Sequence, residues 1–337
     1  MGLNFQTGLA EKGRVSRLAK GKGAPHTQMM TRIVIDCDPG LDDAVALLAA
    51  FGARDLDVKA LTTVAGNVKG SQTAENARII RDVAGVDARV HVCAGAPRPL
   101  LRDPVTAEDF HGSTGLGDIP FPPPQYALSP THSVNMIIDT CRAAREEKLT
   151  LIVTGPMTNV ALALTMAPDI AEGISEIVLM GGADSEGGNI TSYAEFNVFA
   201  DPHAAAAVFE CGLPIRCLSL DVTHDVRATP SRLTMVRAAN TPQAEVAAQL
   251  LEASCKLEFS ANGARHAPLH DPSTIIAVTR PDLFRGRRAH VKVVTEEGAQ
   301  FGRTIPHFDE QGPVMWYEHA DGDAVFEELA HLLGGFS

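Results

Sequence analysis

The sequence predicts an α/β protein built on an open, mainly parallel sheet with helices on both faces. Two observations carry this. Short β-branched runs alternate with helix-like segments along most of the chain. No apolar run approaches the ~20 residues that a membrane-spanning helix needs, the longest near the start being Ala44 to Phe51. At 337 residues, 45% of them hydrophobic, the chain is long enough to bury a sizeable core.

The elements follow in order. Arg32 to Ile35 is a β-branched burst. Asp42 to Phe51 has helical composition, and its aspartates favour a helix start. Val58 to Ala65 reads as a strand, Ala74 to Val83 as a helix and Arg89 to Cys93 as a strand. Ala94 to Ser129 is a long loop containing Phe121-Pro122-Pro123-Pro124; loops of that length inside a compact domain are usually functional. Ser133 to Glu147 is helical and Leu149 to Val153 is a strand running into Thr154-Gly155-Pro156. Asn159 to Met166 is helical, and the strand Glu176 to Met180 ends in Gly181-Gly182. Pro202 to Phe209 is a helix and Ile215 to Leu220 a strand. Helices are expected over Ser231–Asn240, Pro242–Ser260 and Asp271–Val278, a late strand pair over Val291–Thr295 and Phe301–Ile305, and a closing helix over Asp323–Leu333.

No internal repeat or linker interrupts this order. Residues 1–29 are rich in Gly, Lys and Arg, lack apolar periodicity and have no signal-peptide core. They are expected to be a disordered extension, with an Arg-rich transit peptide as the alternative. Residues 30–337 are expected to form a single domain.

The formal net charge is −12. The first thirty residues hold five basic residues against Glu11, so the remainder carries about −16. So acidic a body is a poor partner for nucleic-acid phosphates. It suits a neutral or cationic ligand, or carboxylates gathered around a metal. The six cysteines form no CxxC pair, so they read as reduced thiols of a cytoplasmic protein.

In open α/β sheets, ligands bind beyond the carboxyl ends of the strands. Asp36, Asp38, Asp42 and Asp43 follow the first expected strand, and Gly66 and Asn67 the second. Thr154 follows the strand at Leu149, and Gly181, Asn189, Glu195 and Asn197 follow the strand at Glu176. His270-Asp271 comes later. Four aspartates within eight residues repel one another unless something positive lies between them. Helix capping accounts for one of them, not four. A hard divalent cation accounts for the set, and the absence of His and Cys ligands nearby disfavours zinc. Two chemistries fit an aspartate pair at i and i+2 after a strand. One is a Mg2+-dependent phosphatase of the haloacid dehalogenase type, although Pro39-Gly40 sits badly in that loop.

The other emerges from the motifs together. Asp36-Cys37-Asp38-Pro39-Gly40-Leu41-Asp42-Asp43, Thr63-Val64-Ala65-Gly66-Asn67 and Thr154-Gly155-Pro156-Met157-Thr158-Asn159 are followed by Ala194-Glu195-Phe196-Asn197 and Pro268-Leu269-His270-Asp271. In this order they resemble the inosine-uridine-preferring nucleoside hydrolase family. That resemblance implies Ca2+-dependent hydrolysis of the N-glycosidic bond of ribonucleosides. It implies Asp38, Asp43, Asp271 and the Thr154 carbonyl as metal ligands, with Asp38 also the general base. It implies Asp42, Asn67, Met180, Asn189, Glu195 and Asn197 around the ribose, His270 as proton donor to the departing base, and His111 as a further substrate contact. A homodimer or homotetramer is implied as well. A non-catalytic nucleoside-binding protein is the remaining alternative. The base is left open. Glu258 to His266 contains no tyrosine where family members place base contacts, and the single tryptophan, Trp316, does not match the purine-specific subgroup.

Overall fold

The computed structural model describes residues 1–2, 30–117 and 119–336. The expected extension over 1–29 therefore lies almost wholly outside the described residues. Among the described residues, nine strands form one sheet: β1 (Thr31–Cys37), β2 (Leu56–Thr63), β3 (His91–Ala94), β4 (Leu149–Val153), β5 (Ile174–Met180), β6 (Ile215–Leu218), β7 (Phe284–Val293), β8 (Thr304–Phe308) and β9 (Val314–Ala320). Their order is β3-β2-β1-β4-β5-β6-β9-β7-β8. From β3 through β9 all neighbours are parallel. β7 runs antiparallel to both β9 and β8.

Alternation along β1 shows how the layers are built. Ile33 and Ile35 point into one core and Val34 into the other. The first core holds residues of the helices Leu41–Gly52, Pro242–Asn262, Pro272–Thr279 and Gly322–Leu333. The second holds residues of Ser133–Ala143, Thr158–Met166 and Pro202–Phe209. Both faces are therefore covered, which is why the central strands are apolar throughout: all five residues of β4 are buried.

The expected parallel sheet and its order of elements hold, with local differences. β9 was not expected. Last in sequence, it inserts between β6 and β7, and nothing local in Val314–Ala320 encodes that placement. The helix at Ser133 ends at Ala143, four residues short of the expected end, because the exposed run Arg145-Glu146-Glu147-Lys148 has no apolar face to bury. The long loop holds one short helix, Glu108–His111. It is pinned by buried side chains. Asn159 Oδ1 accepts from the Ala96 amide at 2.9 Å, Asp201 Oδ2 from the Leu100 amide at 2.8 Å, and Asn76 Nδ2 donates to the carbonyls of Pro39 and Thr114 at 2.8 Å each. Trp316 is fully buried in the second core and donates from Nε1 to Asp221 at 3.3 Å.

Candidate active site

The floor of the site is built by the carboxyl end of β1. Asp36 and Cys37 end the strand, Asp38 follows, and Pro39-Gly40 turns the chain into the helix Leu41–Gly52 with Asp42 and Asp43 in its first turn. Acidic side chains suit that position because the helix N-terminus carries partial positive charge. Gly40 is needed for space: a Cβ there would lie 2.4 Å from His111 Nδ1. His111 reaches in from the long loop, and its Nδ1 accepts from the Leu41 amide at 3.1 Å.

Each aspartate has a separate environment. Asp43 Oδ2 accepts from the Gly40 amide and from Asn67 Nδ2, both at 3.0 Å, and its Oδ1 accepts from Thr154 Oγ1 at 2.7 Å. Asp38 Oδ2 accepts from the Asn67 amide at 2.6 Å. Asp36 is held by Thr62 Oγ1 at 2.7 Å and Asn159 Nδ2 at 2.9 Å, and it does not line the cavity above. Asp36 Oδ2, Asp38 Oδ1 and Asp42 Oδ1 are buried with no hydrogen-bond partner. Oxygens of Asp42, Asp43 and Asp271 lie within 4.8 Å of one another.

Burial pushes these carboxyls up; for Asp38, Asp43 and Asp271 the acidic neighbours push further, while Asp36 is raised by burial alone against its two hydrogen bonds. Asp43 is raised to about 6 and Asp36 to about 7. Asp38 and Asp271 are raised well above the usual carboxylate range, by burial and then by their acidic neighbours. Buried acids that repel one another and keep orphaned oxygens lack a positive charge. The donor set, all oxygen, fits a hard divalent cation. Asp42 belongs to the mutually close trio, while Asp38 stands beside it with one free oxygen.

Above the floor lies a cavity of about 390 Å³. Asp42, Asn67, Thr154, Met180, Asn189, Glu195, Asn197, His111, His270 and Asp271 all line it. The structure thus brings together every sequence-derived site residue except Asp38 and Asp43, which lie beneath. Asn197 Nδ2 donates to the Thr154 carbonyl at 2.8 Å and to the Met180 carbonyl at 3.2 Å, tying the ends of β4 and β5. A carbonyl oxygen has two lone pairs, so the Thr154 carbonyl keeps one free. Glu195 caps the helix Phe196–Ala200, accepting from the amides of Asn197 at 2.8 Å and Val198 at 3.1 Å, and also accepts from Gly182 at 3.0 Å. Burial still raises it to about 7 against those three bonds. Asn189 Oδ1 accepts from the Phe196 amide at 2.9 Å, so its position is built rather than incidental to a turn.

His270 Nδ1 lies 2.8 Å from Thr223 Oγ1. Burial lowers His270 to about 3, with His224, His111 and Arg227 adding to the effect, and burial lowers His111 to about 4. Both rings are neutral near pH 7. His224, Phe110, Ser254, Glu258 and Asn262 also line the cavity and had no role assigned from sequence. A signal existed for two groups of them. His224 lies shortly beyond the carboxyl end of β6, where the strand-end rule applies. Ser254, Glu258 and Asn262 are spaced by four along the helix Pro242–Asn262, which puts them on one face.

A family model described as inosine-uridine preferring nucleoside hydrolase matches residues 33–327. The chain belongs to that family. It is 40% identical over 279 residues to the pyrimidine-specific ribonucleoside hydrolase RihA of Photobacterium profundum, covering 82% of this chain and 89% of the relative. It is 36% identical over 306 residues to the inosine-uridine preferring nucleoside hydrolase of Crithidia fasciculata, covering 90% and 96%. Among solved structures, the purine-preferring ribonucleoside hydrolase from Gardnerella vaginalis superposes with a TM-score of 0.83 at 29% identity, covering 91% of this chain and 99% of that one. As a nucleoside hydrolase the chain acts on N-glycosyl bonds, which leaves the haloacid dehalogenase alternative without support.

Proposed function

We propose that the chain hydrolyses the N-glycosidic bond of ribonucleosides to ribose and free base, with Ca2+ as its cofactor. The observation that carries this is the buried aspartate floor, with orphaned oxygens, beneath a nucleoside-sized cavity in a nucleoside hydrolase fold. Asp38, Asp43, Asp271 and the Thr154 carbonyl would hold the ion. An all-oxygen set of carboxylates and a carbonyl would suit Ca2+, which tolerates irregular coordination, better than Mg2+, which demands a strict octahedron. When bound, the ion supplies positive charge that anchors the ribose diol and makes a neighbouring water more acidic.

The chain's own residues do the rest. Asp42, Asn67, Asn189, Glu195 and Asn197 hold the ribose hydroxyls, with Met180 packed beside the ring. Asp38 takes a proton from the attacking water at Oδ1, the oxygen without a partner. The water adds to C1′ as the bond to the base breaks. The sugar then carries positive charge, which the surrounding carboxylates stabilise. His270, held at Nδ1 by Thr223 Oγ1 2.8 Å away, gives the departing base a proton from its imidazolium form and returns to the neutral ring that burial favours. His111, whose Nδ1 lies 4.0 Å from the Asp42 carboxylate, is assigned as a further substrate contact, and its position on the cavity wall supports that role.

The test is release of reducing sugar from a panel of purine and pyrimidine nucleosides; the relatives differ in base, so the panel covers both. Asp38→Asn is expected to lower kcat by about 10³, within the range for a general base, while nucleoside binding persists. Binding without turnover in the natural sequence would sink the proposal and leave a nucleoside-binding protein. The same proposal includes a single catalytic domain over 30–337, a homodimer or homotetramer, and a cytoplasmic location. The six free cysteines support a reducing compartment; light scattering and cell fractionation test the assembly and the location.

A further inference from the structure

We infer that Glu258 selects the nucleobase, favouring bases that present an amino group over those that present a carbonyl at the same edge. The inference rests on the proposed function above. If the ribose is held on the aspartate floor, the base must lie against what faces that floor. That wall is the last turns of the helix Pro242–Asn262 together with the short helix Glu108–His111. Ser254, Glu258 and Asn262 face the cavity from the first, and Phe110 from the second. Phe110, Phe196 and Ile190 offer a flat ring apolar contact but no discrimination between hydrogen-bonding edges.

Glu258 is the group on this wall that can discriminate. Asn262 Nδ2 donates to Glu258 Oε1 at 2.6 Å, and Asn262 Oδ1 accepts from the Ala264 amide at 2.8 Å. Both ends of the Asn262 amide are used, so its orientation is fixed and it holds the carboxylate at the wall. Among the described residues, no hydrogen bond reaches Glu258 Oε2, and no lysine or arginine lines the cavity. The carboxylate therefore meets the ligand as an unpaired, acceptor-only group. The exocyclic amino group of cytosine or adenine satisfies it. Uracil and hypoxanthine place a carbonyl oxygen at the same position. Uracil's ring N–H lies between two carbonyls whose lone pairs repel an approaching carboxylate; hypoxanthine's has a carbonyl on one side only, so there it is that carbonyl oxygen, set opposite the carboxylate, that repels it. Glu258 is half-buried, and a ligand that sets a carbonyl against its carboxylate loses the hydrogen bond that the amino base makes and adds repulsion, which is the basis for rejection.

The experiment compares kcat/KM within two pairs that differ at this edge, cytidine against uridine and adenosine against inosine. The natural sequence and Glu258→Gln are each measured with all four. Gln keeps the size and one acceptor but adds a donor. The natural sequence is expected to favour the amino member of each pair by about tenfold or more, the scale of a hydrogen bond to a charged group. Glu258→Gln should bring both ratios close to one by raising the oxo member. Asn262→Ala, which frees the carboxylate without removing it, should reduce the ratios part of the way, and it provides the reading if Glu258→Gln does not fold. Ratios near one in the natural sequence, or ratios that Glu258→Gln leaves unchanged while sugar is still released, overturn the role of Glu258 and leave nucleoside hydrolysis standing. No sugar release from any of the four overturns both.

Discussion

A single methyl group added at Gly66 should disable the site while leaving most of the fold intact. Gly66 does not have a positive φ, so alanine meets no backbone penalty there. The obstacle is space. A Cβ at Gly66 would lie 2.0 Å from Asp38 Oδ2 and 2.7 Å from Pro156 Cδ, where ordinary contact begins at 3.4 Å. Asp38 must therefore retreat by about 1.4 Å, the difference between those values, because Pro156 blocks relief on the other side. The 2.6 Å bond from the Asn67 amide cannot survive that shift. Overpacking of this kind costs about 1–3 kcal/mol of stability. A misplacement of about 1 Å at a reacting group costs about 10² in rate. The assay is kcat/KM for sugar release beside a urea melt, with Gly70→Ala as the control. Gly70 begins the helix Gly70–Val83, and a Cβ there meets nothing closer than 3.5 Å, so the control should keep full activity. Wild-type turnover in Gly66→Ala would refute the claim that the Asp38 position is set by this contact.

Two further predictions concern the buried charges of the site. In metal-free protein, burial holds Glu195 near 7 when folded against its ordinary 4.5. The folded state then binds more protons than the unfolded chain between those values, so this contribution to stability is present below about 4.5 and lost as pH rises through about 7. Chemical denaturation from pH 4.5 to 8 reads it, and Glu195→Gln should flatten that part of the profile; an unchanged slope contradicts the assignment. Ca2+ should raise Tm, since a ligand at 100 times its Kd adds about 2.7 kcal/mol to the folded state. Asp43→Asn should abolish most of the shift, and an equal shift in both proteins would place the ion elsewhere.

The sequence made the fold class and most of the cavity lining legible for a physical reason. Functional residues of an open parallel sheet follow strand ends, and strand ends are local features: Asp38, Asn67 and Thr154 each come within a few residues of an apolar run. The division of labour inside the cluster was not legible. Asp36 and Asp38 are two residues apart in an identical chemical pattern. That Asp36 turns to Thr62 and Asn159 while Asp38 keeps a free oxygen depends on the partner strand β2, which carries Thr62, and on the helix Thr158–Met166 after β4, which carries Asn159. β9 escaped because its neighbours in the sheet lie far from it in sequence. His224 and Glu258 escaped because each contributes to a wall assembled from several elements; a strand-end position and a four-residue spacing mark them among many such residues, and only the folded wall shows that these face the cavity.

The two ends of the sheet bear on how the chain survives crowding. A sheet edge offers unpaired amides and carbonyls to any passing strand. β3, at one edge, is four residues long, and the long loop returns to bridge it at Cys93 and Ser129. β8, at the other, has Pro306 at its middle position, paired with Val291 of β7. Proline has no N–H to offer, so the outer row of donors is broken where an incoming strand would need it. One edge is shortened and covered, and the other is interrupted by a residue that cannot donate. A nine-stranded sheet with an apolar interior thus carries its own barrier to edge-to-edge polymerisation.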